Sequence, residues 1–528
     1  MIYLLHHTIQ RAAQRFPERE AFRCGKKSIS YAALDRQTDQ LATLLMQRGV
    51  KRGDRVGVHL YRSLETPIAI FGIMKAGAAY VPLDPTAPTQ RTKQLLEDCE
   101  IDHLIVHPQV LRSVKQMLSS PSRLQTVIGL AANRLDLTQN PNLHCYSWQA
   151  LVDGPHQVPQ VNISEHDLAY VMYTSGSTGL PKGIMHTHHS GLNYAKLSAD
   201  LYALEGKDRV ANHAPLHFDI STFGYFAAPL AGATTIIIPD AYTKMPASLS
   251  QLIVEEQISV WYSVPLALIQ LLQRGVLEER DCHSLRWVLY AGEVFPTKHL
   301  RALMLKWSHA RFSNIYGPAE VNQCTYYHLP EPPQGDDPVP LGRVWGNTEM
   351  LIMDEHDQPT PFGEIGELFI RSGTRMQGYW KQAALTQKGF YHQEIAPGLV
   401  GTFYRTGDMV YLREDGLLMF VGRKDRQVKT RGYRVELDEV EGRLVAHEEI
   451  LEAAVIPIKG DNSVQIVATV ILKEAQSVSE KDLQAYLAAL LPWYAVPQQI
   501  QIREQFPRTS TGKINRPALQ QEMAEATS

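Results

Sequence analysis

The strongest chemical signal in the 528 residues is YTSGSTGLPKG at 173–183. Glycines at 176, 179 and 183 let backbone N–H groups converge on an anion. The hydroxyls of Thr174, Ser175, Ser177 and Thr178 add donors, and Lys182 adds a positive charge. The spacing is not that of the P-loop, which needs four residues between its glycines and then Gly-Lys-Ser/Thr; Gly176 and Gly179 stand too close. A flexible surface turn would suit a generic Ser/Gly stretch, but not one that follows an apolar strand and ends in a lysine. Glu320, Asp408 and Lys513 also sit in turn-rich contexts (YGPAE, TGD and STGK). Taken singly, they read as a solvated helix-start glutamate, a turn aspartate and a surface lysine.

These residues need a scaffold. Apolar residues recur at helical spacing over 31–50 and stop at Gly49, and residues 55–60 read as a short strand. KAGAAYVPLDP (75–85) passes from a helix end through small residues into a strand closed by Pro82 and Pro85. DLAYVMY (167–173) is the strand that leads into the glycine-rich loop. VLYAG (288–292) is a buried-type strand followed by a helix. The alternation predicts an α/β fold with largely parallel sheets, whose sites gather at the carboxyl ends of strands. After about Gly422 charges alternate densely, and AAVIPIK, SVQIVATVIL and KDLQAYLAALL follow as two strands and a helix. A boundary near Asp425 divides the chain into a large N-terminal domain, 1–424, and a small α+β domain, 425–528.

Composition narrows the class. Lys plus Arg number 52 against 55 Asp plus Glu, a net charge of −3, which is not the concentrated positive charge of a general nucleic-acid binder. The five cysteines (Cys24, Cys99, Cys145, Cys282, Cys324) form no C-x-x-C pair, which argues against both a disulfide framework and a zinc site. The N-terminal segment has no basic lead and too short an apolar stretch for a signal peptide, and apolar runs such as 234–238 are strand-sized. A soluble cytoplasmic protein is expected, with no nucleic-acid or membrane partner.

Six segments, in order along the chain, resemble motifs of the adenylate-forming (ANL) superfamily, which includes acyl-CoA synthetases, luciferases and the adenylation domains of nonribosomal peptide synthetases. KAGAAYVPLDP resembles its early structural motif, YTSGSTGLPKG its phosphate loop, and NIYGPAEV (314–321) its adenine and metal motif. YRTGDM (404–409) resembles its ribose motif, GRKDRQVKTRGYRVELDEVE its hinge segment, and PRTSTGKINRPAL its terminal lysine loop. The resemblance implies an N-terminal core of mostly parallel sheets with a β-barrel-like subdomain, and a mobile C-terminal lid. It implies activation of a carboxylate by in-line attack on the α-phosphate of ATP with loss of pyrophosphate, a reaction that depends on positioned cations and donors.

By the same resemblance, Thr174, Lys182, Glu320 and Lys513 are catalytic, and Glu320 holds Mg²⁺, a hard cation suited to carboxylate and water oxygens. ATP and AMP contacts fall to Thr174, Ser175, Gly176, Ser177, Thr178, Gly292, Glu293, Asn314, Ile315, Tyr316, Gly317, Asp408, Arg423 and Lys513. Tyr316 offers its ring to adenine, while Asp408 and Arg423 meet the ribose. Lys513, a point charge on a flexible stem, would bridge the attacking carboxylate and the phosphate. Asp425 is the expected hinge, and Gly432 the place where a phosphopantetheine arm passes close to the backbone.

Asp219, in HFDIS (217–221), separates the subfamilies: members that activate amino acids pair an aspartate here with the substrate's ammonium. The other pocket positions implied are Ile220, Phe223, Tyr262, Leu289, Ala291, Ile315, Gln323 and Cys324. This mostly apolar set resembles that of free-standing proline-activating enzymes, with Gln323 departing from the apolar residue expected there. The chain ends fifteen residues after Lys513, so a separate peptidyl carrier protein is the expected acceptor in nonribosomal peptide or secondary-metabolite synthesis. The rivals are an acyl-CoA synthetase of the same fold, activation of another small apolar amino acid, and a non-catalytic relative. Asp219 argues against the first and the intact motif residues against the last; motifs alone neither build nor exclude a luciferase-like oxygenase.

Overall fold

The computed structural model describes residues 2–176, 181–335, 337–460, 463–473, 478–508 and 514–527. The chain forms two compact units. The main unit comprises Met1–Pro85, Leu95–Tyr173 and Gly183–Lys424; the second comprises Thr86–Gln94, Thr174–Lys182 and Asp425–Ser528.

The main unit is built on two large sheets with parallel centres. In the nine-stranded sheet, every pairing from Arg311–Tyr316 through Trp287–Ala291, Val260–Ser263, Arg209–Asn212 and Thr234–Ile237 to Glu20–Cys24 is parallel. Antiparallel strands close its edges: Thr325–Leu329 with Arg343–Val344, and Lys27–Ser30. The eight-stranded sheet pairs Leu168–Thr174, Ala79–Pro82, Arg55–His59, His103–Val106, Thr126–Ile128 and His144–Tyr146 in parallel, with Lys182–Thr187 and Gly378–Tyr379 beyond.

Strand alternation sorts the core. Val288 and Tyr290 face a cluster around Trp261, whereas Trp287, Leu289 and Ala291 face a second cluster with Tyr262 and Phe223. Each fully buried side chain of this size contributes about 1.5–3 kcal/mol.

The helix predicted over 31–50 spans Tyr31–Gln47. Ser30 caps it by accepting the Ala33 N–H, and Gly49, at φ +92°, turns the chain away. Lys75, the first residue of KAGAAYVPLDP, is buried and donates to both Asp35 and Asp39 at 2.6 Å. It ties helix Glu65–Lys75 to helix Tyr31–Gln47, so this motif positions elements. Removing one partner of such a buried pair costs about 3–5 kcal/mol.

Where a barrel-like subdomain was expected, the described residues form an open five-stranded antiparallel sheet. Its 14-residue strand Leu399–Leu412 pairs with Gly366–Ser372, Phe390–Ala396 and Leu418–Arg423.

In the second unit, a hairpin of Gln427–Thr430 and Tyr433–Glu436 precedes a mixed sheet of Ile450–Lys459, Val464–Leu472 and Gln499–Ile502. Helices Leu437–Val445 and Glu480–Ala488 pack on that sheet through Val440, Leu444, Leu483 and Leu487. Ser479 starts the latter helix with a capping box to Asp482. Among the described residues all five cysteines are free thiols, and no helix is long and apolar enough to cross a membrane.

Candidate active site

In the main unit, two strands carry a buried polar corner. Asp408 lies on Leu399–Leu412 and Arg423 on Leu418–Arg423, directly opposite in register. Arg423 NH1 donates to Asp408 Oδ1 at 2.8 Å and to Thr406 O at 3.0 Å. The Tyr316 hydroxyl donates to Asp408 Oδ2, and Thr406 Oγ1 accepts the Asp408 N–H. Burial, reinforced by the Asp408 charge, raises the Tyr316 pKa well above its ordinary value, so the phenol stays a donor. Asp408 is thus 2% exposed and is no solvated turn aspartate.

Strand Arg311–Tyr316 delivers Asn314, Ile315 and Tyr316, and the chain then turns at Gly317. A Cβ there would lie 2.0 Å from Asn322 O, so only glycine lets the loop fold back this closely. The fold-back buries Glu320 completely, contrary to the solvated reading. Tyr379 OH donates to Glu320 Oε1 at 2.8 Å and lies 3.2 Å from Tyr404 OH. His186 Nε2 donates to the neighbouring Ala319 O at 2.8 Å. Burial lowers the His186 pKa to about 4, against smaller opposing effects of Ala319 and Glu320, so the ring is neutral at pH 7. Gly292, at φ +99°, ends the strand Trp287–Ala291 and leads into Glu293.

The predicted pocket residues gather for a simple reason of register. Tyr262 sits opposite Leu289, and Ala291 opposite Ile315. Phe223 meets Tyr262 edge-on at 5.4 Å, and Ile220 packs on the same cluster. Asp219 opens the short turn Asp219–Ser221, its Oδ1 accepting the Ile220 N–H at 2.9 Å. Burial, helped by Tyr194 and Asp219, raises the Tyr262 pKa well above normal. Cys324 packs instead beside Tyr316 in an adjoining cluster. Gln323 is 1% exposed; its Nε2 donates to Tyr202 OH at 3.4 Å, and its Oε1 meets no donor among the described residues.

In the second unit, Thr174 ends its strand with a buried hydroxyl that bonds to no described residue. Ser175 Oγ donates to Arg434 O at 3.1 Å and accepts the Glu436 N–H at 3.2 Å; Gly176 follows. Lys182 Nζ lies 3.5 Å from Glu436 Oε1. Asp425 Oδ1 accepts the Gln427 N–H at 3.2 Å. Gly432, at φ +82°, and Arg431, at φ +54°, form the two-residue hairpin turn, which by itself requires positive φ. Ser177, Thr178 and Lys513 lie outside the described residues.

Several partners of these residues lie far away in sequence and outside the motif segments: Tyr379, His186 and Tyr202. No sequence signal marks Tyr379; its two-residue strand Gly378–Tyr379 is placed by pairing with Ile184 and Met185.

The fold and these residues define a class. The chain belongs to the AMP-binding enzyme family: residues 9–380 match that family, and residues 439–513 match its C-terminal domain. It is similar to the L-proline--[L-prolyl-carrier protein] ligase of Pseudomonas fluorescens, 32% identical over 519 residues that cover 98% of each chain. Tyrocidine synthase 2 of Brevibacillus parabrevis is 32% identical over 514 residues, 96% of this chain, which spans only 13% of that protein. The solved Vibrio cholerae adenylation domain AlmE, in complex with glycyl-adenosine-5'-phosphate, superposes with a TM-score of 0.85 at 26% identity, covering 99% of this chain and 98% of that one.

Proposed function

We propose that the protein is a ligase that activates L-proline with ATP and transfers it to the phosphopantetheine thiol of a separate carrier protein. In the first half-reaction a proline carboxylate oxygen bonds to the α-phosphorus, and the bond to pyrophosphate breaks. In the second, the carrier thiolate bonds to the acyl carbon, and AMP leaves. The observation that carries the reading is Asp219 set beside an apolar cluster of Ile220, Phe223, Tyr262, Leu289, Ala291 and Ile315. A carboxylate there pairs with an ammonium, and proline's secondary ammonium still offers two N–H donors. The walls carry no charge to oppose an acidic or basic side chain, which suits a compact apolar one. Likeness along nearly the whole length of a proline-carrier protein ligase supports the same choice.

The remaining roles are assigned on the same basis. Asp408, aligned by Arg423, accepts the ribose hydroxyls. Gly292, Glu293, Asn314, Ile315, Tyr316 and Gly317 surround the adenine. Thr174, Ser175, Gly176, Ser177, Thr178 and Lys182 hold phosphates, and Lys513 meets the attacking carboxylate. Residues 1–424 act as the core and 425–528 as a mobile lid turning at Asp425, with Gly432 beside the pantetheine arm.

Glu320 fits Mg²⁺, because it is a fully buried carboxylate whose Oε1 accepts the Tyr379 hydroxyl. Mg²⁺ keeps several waters and takes substrate phosphates as its other ligands, so one buried carboxylate is enough of a protein ligand. When bound, the ion supplies positive charge to the phosphoryl oxygens. The free thiols suit a reducing cytoplasm. Incubation with ATP, Mg²⁺ and L-proline, followed by mass spectrometry, tests the reading. Prolyl-AMP is expected; a chain that forms no aminoacyl-AMP with any amino acid contradicts it.

A further inference from the structure

Arg375 is a guanidinium that the main unit has partly buried without supplying an anion. Among the described residues no carboxylate lies within ion-pair distance of it. Its NH1 donates to Met376 O at 3.1 Å, and its Cζ stands 4.5 Å from the centroid of the Phe390 ring. Burial alone lowers its pKa from the ordinary arginine value, with no neighbouring charge to offset the effect. Taking a cation out of water unpaired is unfavourable. Arginine has five N–H donors in a planar fork, and one backbone bond leaves the Nε/NH2 edge without an acceptor among the described residues.

That side chain lines a cavity of about 380 Å³ together with Gln377, Ser372, Thr187, His166 and His189. Most of the other polar groups are already committed. Thr187 Oγ1 accepts the Ser190 N–H, and Ser372 Oγ bonds to Thr348 Oγ1 and Thr374 Oγ1. His189 is held between Glu165 at 3.3 Å and Asn193 at 2.9 Å, and Glu165 also lies 3.9 Å from His166. The donors left for a ligand include the Arg375 edge, the exposed Gln377 amide, the His166 ring N–H and the Thr187 hydroxyl. None of these residues belongs to the candidate active site, although the Met376 N–H donates to Glu320 O at 2.7 Å and so joins the cavity wall to that loop.

We propose that this cavity binds a small oxyanion, a phosphate or carboxylate group, gripped bidentately by the Nε/NH2 edge of Arg375. The geometry of the fork matches two oxygens of either group.

Equilibrium dialysis of the full chain against labelled inorganic phosphate, with unlabelled acetate as competitor, tests the site. Wild type binds phosphate at millimolar concentration, and R375M weakens that binding by about tenfold to a hundredfold, the loss expected for a bidentate charged contact. R375K keeps the charge, loses the fork and also binds more weakly. Displacement by acetate assigns a carboxylate-accepting site, and its absence a phosphate-selective one. R375M should keep ATP–pyrophosphate exchange within about twofold of wild type, as for a substitution remote from the chemistry; should R375M not fold, R375Q serves in its place. Equal phosphate binding by wild type and the folded variant, or binding of neither anion by wild type, overturns the proposal.

Discussion

Asp408 and Arg423 face each other across an antiparallel strand pair, and the guanidinium donates to one carboxylate oxygen at 2.8 Å while Tyr316 donates to the other. The carboxylate is thereby fixed in orientation as well as charge. If it receives the ribose hydroxyls, D408N weakens charge-assisted bonds worth about 1.5–3 kcal/mol each and raises the KM for ATP by roughly tenfold to a hundredfold. Steady-state kinetics at saturating amino acid read this directly. An unchanged KM for ATP would remove Asp408 from the nucleotide site.

Glu320 and Tyr379 give a graded pair. E320Q should lower kcat by about a hundredfold or more and move the Mg²⁺ dependence to higher concentration, as expected when the charged ligand of a hard cation is neutralised. Y379F removes a hydrogen bond to the carboxylate Oε1 worth about 1.5–3 kcal/mol and should cost about tenfold or more in rate. Identical Mg²⁺ titration curves for wild type and E320Q would contradict the metal assignment.

Gln323 is the pocket residue out of character, buried with an amide oxygen that meets no donor among the described residues. Leaving such a group unsatisfied costs about 1–3 kcal/mol. Q323L should therefore raise the urea midpoint and leave the KM for proline unchanged or lower. A tenfold or greater loss of proline activation, the size of a lost hydrogen bond to substrate, would mean that the amide holds the substrate.

Acid should destabilise the main unit through its buried histidines. Burial lowers the pKa of His186 and His59 to about 4 and of His188 and His213 to about 3. The unfolded chain titrates near 6.5, so between that pH and the folded values the unfolded state binds more protons. Stability is fully present above pH 6.5 and falls as the pH drops toward 4, by up to about 1.4 kcal/mol per pH unit for each histidine. Urea midpoints at pH 7 and pH 5 check this; equal midpoints would mean that the imidazoles are already solvated.

What could be read from sequence follows from how local each cause is. Apolar runs placed the strands Arg55–His59, Leu168–Thr174 and Trp287–Ala291 to within two residues, because a buried parallel strand is apolar on both faces. The turn at Gly317 was legible from its Gly-Pro dipeptide, and a Cβ there would lie 2.0 Å from Asn322 O. The partners of the site residues were not legible. Tyr379 reaches Glu320 across 59 positions, and Gln323 reaches Tyr202 across 121. Sheet register creates those pairs, and no local pattern encodes it. For the same reason Glu320 and Asp408, taken singly, look like ordinary turn residues, since the distant strands that bury them leave no local mark.

Amino-acid-dependent ATP–pyrophosphate exchange, run across the twenty amino acids with wild type and D219A, decides whether the protein activates proline through Asp219. The strongest exchange is expected with L-proline, and its loss in D219A, where a charged ammonium contact is removed. Exchange with no amino acid, or exchange that survives unchanged in D219A, would contradict proline activation through Asp219.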